Sequence, residues 1–323
     1  MRLRVATFNL ENLDEHRRVG APLDERIAVL RPQLLALRAD VLCLQEVSAH
    51  TRHGGQHPLR ALDRLLAGTP YATFARATSK VASGGPSDKH NVVVLSRLPI
   101  VAEQQHFHDL VDPPIVRLTT TPQPRDERVR WDRPVLEVHL ALPDGRLLVV
   151  FDAHLRAPLA ASIEGQKLSP LVWRTVDGWA EGYLLAAIKR VGQALELRRR
   201  IDQLLDADSQ ARILVAGDLN AEITASALRI LRADIEDTGN PALASRSLVA
   251  LEEHIAEDRR YTVLHRGRRL MLDHLLASAS LASCYVDGAI LNEGLLDEYE
   301  LEVAHVEPVG SLHAPLVVEL ELG

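Results

Sequence analysis

The chain has 323 residues, of which 46% are hydrophobic, 4% aromatic and 25% charged, with a formal net charge of −7. These proportions describe a globular chain with ample material for a core, and the two cysteines, Cys43 and Cys284, exclude a disulfide scaffold. No apolar run reaches the roughly 20 residues that span a bilayer, and the acidic balance disfavours a protein that grips nucleic acid over a broad basic surface. Met1 is followed almost at once by Leu3-Arg4-Val5-Ala6-Thr7-Phe8 and not by the apolar core of a secretory signal, so a cytoplasmic location is expected.

In chain order, residues 2–8 read as a strand that runs into Asn9. Residues 24–38 have helical spacing, with Asp24 as a cap and Pro32 as a kink or division. Val41-Leu42-Cys43-Leu44 is a short buried strand, and residues 58–66 are a helix. Residues 79–90 form a loop by their Gly, Ser and Pro content, before a strand at Asn91–Ser96 and a turn at Leu98-Pro99. Residues 109–130 are rich in Pro and charge and read as a long loop with room for one edge strand. Val135–Ala141 and Leu147–Ala153 flank Pro143-Asp144-Gly145, which is a hairpin signal.

Residues 156–177 have no clear periodicity, whereas 179–206 read as a long amphipathic helix. Ile213–Ala216 is a buried strand that ends at Gly217, and Ala225–Leu231 is a short helix. Residues 239–258 fit neither pattern, and Tyr261–Leu264, Leu270–Leu276, Ser283–Ile290 and Leu316–Leu320 read as strands. There is no internal repeat and no dividing linker, so residues 1–323 are expected to form one domain, with an inserted segment around 156–178. Many short strands with few helices between them predict two packed sheets.

The chemistry is suggested by where polar residues fall. Phe8 leads to Asn9, Leu44-Gln45 to Glu46, Phe151-Asp152-Ala153 to His154, and Val215-Ala216-Gly217 to Asp218 and Asn220. A sheet holds such strand-end side chains rigidly, which suits catalytic groups. Carboxylates and amide oxygens suit hard cations such as Mg²⁺, Mn²⁺ or Ca²⁺, and histidines beside them suit proton transfer or an oxyanion.

Six stretches then come in a telling order: Thr7-Phe8-Asn9-Leu10-Glu11-Asn12, Asp40 to Val47, Asn91 to Ile100, Ala153-His154-Leu155, Gly217-Asp218-Leu219-Asn220-Ala221 and Leu272-Asp273-His274. Together they resemble the endonuclease/exonuclease/phosphatase superfamily, which includes deoxyribonuclease-I-like enzymes, abasic-site endonucleases, neutral sphingomyelinases and inositol polyphosphate phosphatases. The likeness runs from residue 5 to about residue 318. It implies an α+β, four-layer α/β/β/α sandwich, with two mostly antiparallel sheets face to face and helices outside.

The resemblance also implies roles. Glu46 is the principal metal ligand and Asn9 its neighbour, binding the metal or a water on it. Asp218 and Asn220 orient the attacking water and hold the phosphate. His154 contacts the phosphate and protonates the leaving oxygen. His313 is the final family histidine, oriented by Asp273. Apart from the resemblance, Asn91 is read either as touching the substrate or as structural. The implied activity is Mg²⁺- or Mn²⁺-dependent hydrolysis of a phosphate ester, first of all a phosphodiester such as DNA or another nucleic acid. The alternatives are a phosphatase or lipid phosphodiesterase, and a binding protein of the same fold without catalysis. No obligate protein partner is evident.

Three departures from the family pattern stand out. Ser311-Leu312-His313 replaces Ser-Asp-His, and because leucine cannot ligate, one metal is favoured over two. Asp152 stands where an Asn is usual, as an added ligand or a replaced structural amide. Asp132-Arg133 stands where some members have a Glu. Outside these motifs the blander readings are preferred. His50, His53 and His57 sit in a Gly-containing loop, and His106 and His108 share one side of a strand end. Arg198-Arg199-Arg200 is a solvated helix face, and Trp173 and Trp179 serve packing.

Overall fold

Apolar runs that bury both faces of a strand dominate the fold, and they sort into two six-stranded sheets. The computed structural model describes residues 1–15, 20–49, 59–82 and 84–323, so His50, His53 and His57 lie outside the described residues. The strands of the two sheets are β1 (Arg2–Leu13), β2 (Val41–Val47), β3 (Ala75–Thr78), β4 (Asn91–Ser96), β5 (Ile100–His106), β6 (Val135–Ala141), β7 (Leu147–Asp152), β8 (Arg212–Asp218), β9 (Leu248–Ala250), β10 (Asp273–Ser278), β11 (Tyr285–Ile290) and β12 (Leu316–Glu321). The first sheet has the order β11-β12-β1-β2-β4-β3 and the second β9-β10-β8-β7-β6-β5. Each has one parallel pair at its centre, β1 with β2 and β7 with β8, and is otherwise antiparallel.

Three apolar layers follow from the two-residue period of a strand. Leu3, Val5, Cys43 and Val94 face Val138, Val150, Leu214 and Leu275 between the sheets. The alternate residues Ala6, Phe8, Leu42 and Leu44 face outward onto helices α1 (Leu23–Leu37) and α2 (Arg60–Leu66). On the other side Val149, Phe151, Ile213 and Val215 face α3 (Val176–Ala207) and α4 (Ser226–Arg232). This is the expected four-layer α/β/β/α sandwich. Among the described residues no helix is long and apolar enough to cross a membrane.

Helix α1 runs unbroken through Pro32, and Asp24 lies in its first turn while Pro22 occupies the cap position without a side-chain bond. A mid-helix proline costs about 3 kcal/mol. Burying Leu23, Ile27, Leu30, Leu34 and Leu37 returns roughly 1.5–3 kcal/mol for each side chain, so packing wins. Pro32 and Ala28 are both exposed, so the carbonyl that loses its partner faces water.

The structure differs from the sequence reading where tertiary partners decide. The stretch 109–130 contains a paired hairpin, Ile115–Leu118 with Arg125–Arg128, and 156–177 carries a second small pair, Lys167–Ser169 with Val172–Trp173. Both lie beside the first half of α3, where Leu118, Val129, Ile163 and Leu185 form a satellite core and Trp173 packs against it. The run 270–276 is divided, since Leu270 ends a small strand and Asp273 begins β10. Of Arg198-Arg199-Arg200 only Arg199 is exposed. Arg198 is buried and pairs with Asp202, while Arg200 holds the buried Glu137 with both Nε and Nη2.

Gly217 fixes how closely the site strands approach. It has φ +141°, and a Cβ there would lie 1.8 Å from the Ala153 carbonyl oxygen. Only glycine lets β8 pass this near to the end of β7, where Ala153 N–H donates to Ala216 O and Leu155 N–H to Asp218 O. Gly217→Ala is therefore expected to cost at least about 3 kcal/mol in urea unfolding, and an undiminished midpoint would show that the close approach is dispensable.

Candidate active site

The parallel pair at the centre of each sheet means that β1, β2, β7 and β8 all end at one rim of the sandwich. The antiparallel neighbours β4, β6, β10 and β12 begin there. Residues at those ends and starts consequently meet: Asn9 and Glu46 from the first sheet, and His154, Asp218, Asn220 and Asp273 from the second. His90, Arg133 and His313 immediately precede or lie near the starts of β4, β6 and β12. Glu46 adopts φ +61° at an irregularity in the pairing of β2 with β4, and Asn220 adopts φ +49°. Such left-handed backbone in non-glycine residues is costly and gathers where side chains must be aimed.

Asn9 joins the two sheets. Its Nδ2 donates to Glu46 Oε1 at 3.2 Å and to Asp218 Oδ2 at 3.0 Å, and its Oδ1 accepts from Glu11 N at 2.8 Å. Glu46 Oε2 accepts from Asn12 N at 2.9 Å. Asn220 donates through its backbone N to Asp218 Oδ1 at 3.0 Å and through Nδ2 to Oδ2 at 3.1 Å. His154 Nε2 lies 3.3 Å from Asp218 Oδ2 and 3.8 Å from Glu46 Oε1. On the other side His313 Nδ1 is 2.8 Å from Asp273 Oδ2, and its Nε2 is 4.0 Å from Asp218 Oδ2. Among the described residues two sets of three potential metal donors result, Glu46 with His154 and Asp218, and Asp218 with Asp273 and His313.

Among curated proteins none matches the chain by sequence. The profile of the endonuclease/exonuclease/phosphatase family matches residues 6–292. The chain belongs to the endonuclease/exonuclease/phosphatase family. Solved structures share its fold. A mannosyl-6-phosphatase from Bacteroides thetaiotaomicron VPI-5482 is 15% identical with a TM-score of 0.60, the match covering 99% of this chain and 100% of that one. An endonuclease/exonuclease/phosphatase from Beutenbergia cavernae DSM 12333 is 20% identical with a TM-score of 0.55, covering 100% and 72%. Truncated Caenorhabditis elegans TDP2 is 12% identical with a TM-score of 0.56, covering 100% and 98%. His313 lies beyond the matched span of the family profile, and its place beside Asp273 and Asp218 is a matter of geometry.

The family pattern and the geometry differ in instructive places. Asp152 lies wholly buried between the sheets, outside both donor sets, with Oδ1 accepting from Gln45 Nε2 at 2.7 Å. Burial holds its carboxyl well above the usual range, as a neutral acid. Leu312 turns its side chain into the protein, and its N–H donates to Glu11 Oε2 at 2.6 Å, so a carboxylate from β1 stands next to the position where the family has an aspartate. The Asn91 amide donates to Val47 O at the end of β2 and to Ser87 O and accepts from Ser87 N. His106 lies 2.7 Å from Glu137, and His108 stacks on Trp131 at 4.3 Å.

Sequence reasoning passed over His90 and underweighted Arg133. His90 Nδ1 sits 3.7 Å from Glu46 Oε2, and an Arg133 terminal nitrogen meets His154 Nδ1. The signal was available for both, since each directly precedes or nearly precedes a strand that starts at the rim, the mirror image of the strand-end rule.

Electrostatics assign protonation. Burial lowers the His154 pKa well below 6.5, and Arg133, His90 and His313 reinforce it, so the ring is neutral. Because Arg133 donates to Nδ1, the proton of His154 is on Nε2, facing the carboxylates. Burial opposes charge on His313, but Asp273 and Asp218 outweigh it and raise the pKa well above 6.5. Burial, together with Asp273 and Glu46, lifts the Asp218 carboxyl to about 7 against the pull of His313.

These oxygens and imidazoles fit a hard divalent cation, and a cation that took Asp218 as a ligand would displace its proton. Mn²⁺ affinity is therefore expected to rise about tenfold per unit as pH increases towards about 7, and to level off above it. Calorimetric titrations between pH 5.5 and 8.5 check this, and a flat profile removes Asp218 from the metal's ligands.

A second pH effect concerns the turn after Asn220. His274 is fully buried between Glu252 Oε1 at 2.6 Å and Ala221 O at 2.8 Å, so both nitrogens face acceptors and the charged ring is the satisfied form. Burial opposes that charge, but Glu252 raises the pKa above 6.5 overall. Its stabilisation is complete below about 6.5 and is lost as pH rises through the higher folded value. Thermal melts from pH 6 to 9 should show that loss in the parent and not in His274→Gln.

Proposed function

We propose that the chain is a divalent-metal-dependent phosphoric ester hydrolase, a phosphodiesterase with nucleic acid as the first polymer to try, acting by direct attack of water. The observation that carries this reading is the convergence of Asn9, Glu46, His154, Asp218, Asn220 and His313 on one rim, from both sheets. Membership of a family named for nucleases and phosphatases supports it.

Glu46 and Asp218 would hold the cation, with Asn9 keeping their carboxylates together. A bound Mg²⁺ or Mn²⁺ neutralises charge on a phosphoryl oxygen, and the same donors also suit Ca²⁺. Asp218, fixed beside Asn220 and the two imidazoles, would orient the attacking water and accept its proton. Asn220 fixes that carboxylate from two directions, and the cationic His313, held by Asp273, stabilises negative charge on the phosphoryl group. His154 presents Nε2–H and would donate a hydrogen bond to a phosphoryl or leaving oxygen, while the cationic His313 is the imidazole that carries a transferable proton.

A second reading, hydrolysis of a small phosphate ester, draws support from the net charge of −7 and from a cavity of about 610 Å³ that opens beside His90 and Arg133. The test is a panel of bis(p-nitrophenyl) phosphate, p-nitrophenyl phosphate and plasmid DNA with Mg²⁺, Mn²⁺ or EDTA. Metal-dependent turnover of at least one is expected, and Asp218→Asn and His313→Ala should each lower kcat by about 10²–10⁴-fold with an unchanged circular dichroism spectrum. No turnover of any ester with any metal rejects the reading and leaves a binding protein of the same fold.

A further inference from the structure

The cavity beside the rim has a charge pattern that the hydrolytic site does not account for. Its wall includes Lys89, His90, Arg133 and Arg156 with the apolar faces of Phe107 and Pro134. Arg156 is paired with Asp132 at 3.3 Å, and His90 Nδ1 lies 3.7 Å from Glu46 Oε2, so neither is a free cation. Lys80, also on the wall, is held by Glu103 at 2.5 Å. Two cations remain. Lys89 is exposed and makes no ion pair among the described residues. Arg133 is half-buried, bonds to His154, and makes no ion pair among the described residues, although Glu46, Asp132 and Asp218 act on it from farther away.

A guanidinium taken partly out of water without a carboxylate is costly unless an anion completes it. Arg133 stands where the cavity meets His154, next to the position a phosphoryl group takes in the proposed reaction. Lys89 stands on the same wall, next to His90 in the chain. The volume suits a group the size of a nucleoside or a sugar and excludes a long polymer from lying within it.

We propose that this cavity is the subsite for the organic substituent of the ester, and that it selects a compact substituent carrying an anionic group of its own. Arg133 meets the scissile phosphate, Lys89 meets the second anion, and Phe107 and Pro134 cover the body of the substituent. The inference rests on the phosphoesterase reading and names its substrate class. A nucleotide within a chain and a free small molecule with two anionic groups share this chemistry.

The experiment compares kcat/KM for p-nitrophenyl thymidine 5′-phosphate with and without a 3′-phosphate, using bis(p-nitrophenyl) phosphate as reference. The added phosphate is expected to raise kcat/KM by about tenfold, mainly through KM, as one charge-assisted hydrogen bond does. Lys89→Glu should reduce the preference to near one or reverse it. Arg133→Gln should lower kcat on both thymidine esters. Cleavage of oligothymidylate at a comparable kcat/KM assigns the pocket to a nucleotide of a chain, and its absence assigns it to a free small molecule. Equal kcat/KM for the two thymidine esters overturns the inference while the phosphoesterase reading stands. So does turnover of the reference ester alone. No metal-dependent turnover of any ester removes both.

Discussion

The hydrogen bonds from one amide, Asn9 Nδ2, to Glu46 and to Asp218 are the contacts on which the site depends, because the two carboxylates come from different sheets. Two acidic groups brought this close repel each other and lose solvation. A donor between them makes the approach tolerable, and the rise of Asp218 to about 7 records what repulsion and burial remain. A divalent cation relieves the same repulsion more completely, which is why an arrangement poor for stability is well suited to metal binding. Ser311, which donates to the Asn9 carbonyl at 2.7 Å, ties the loop of His313 to the same residue.

The scaffold makes this concentration of charge possible. Three apolar layers lock the sheets face to face, and a parallel pair at the centre of each sends four strand ends to one rim. Where the chain must pass closest, Gly217 removes the obstacle of a side chain. The backbone is then bent out of its easy conformations at Glu46 and Asn220, so that the side chains point inward. The second tier, Asp273 on His313 and Arg133 on His154, fixes the charge state and tautomer of each imidazole.

The two histidines differ for a plain electrostatic reason. Both rings lie near two carboxylates, but burial and Arg133 at Nδ1 keep His154 neutral, whereas Asp273 and Asp218 outweigh burial and make His313 cationic. The cationic ring suits charge stabilisation and proton donation, the neutral one a hydrogen bond from Nε2–H, and the division follows from what surrounds each ring.

The sequence alone determined the strand and helix order of most of the chain, since the apolar runs of two-residue and 3.6-residue period mark what can be buried. It also marked Asn9, Glu46, His154, Asp218 and Asn220, because a polar residue directly after an apolar strand is a local pattern. Tertiary structure decided the rest. Whether Asp152 is a ligand or a buried neutral acid depends on its burial between the sheets, where its partner Gln45 is more than 100 positions away in the chain. Whether Arg198 and Arg200 are solvated depends on Asp202, Glu137 and the packing of α3. The partnership of Arg133 with His154, the nearness of His90 to Glu46 and the closing of a cavity between them depend on strands meeting from both sheets. Periodicity reports which faces are apolar, but the charge a group carries is set by neighbours that only the folded chain brings within a few ångströms.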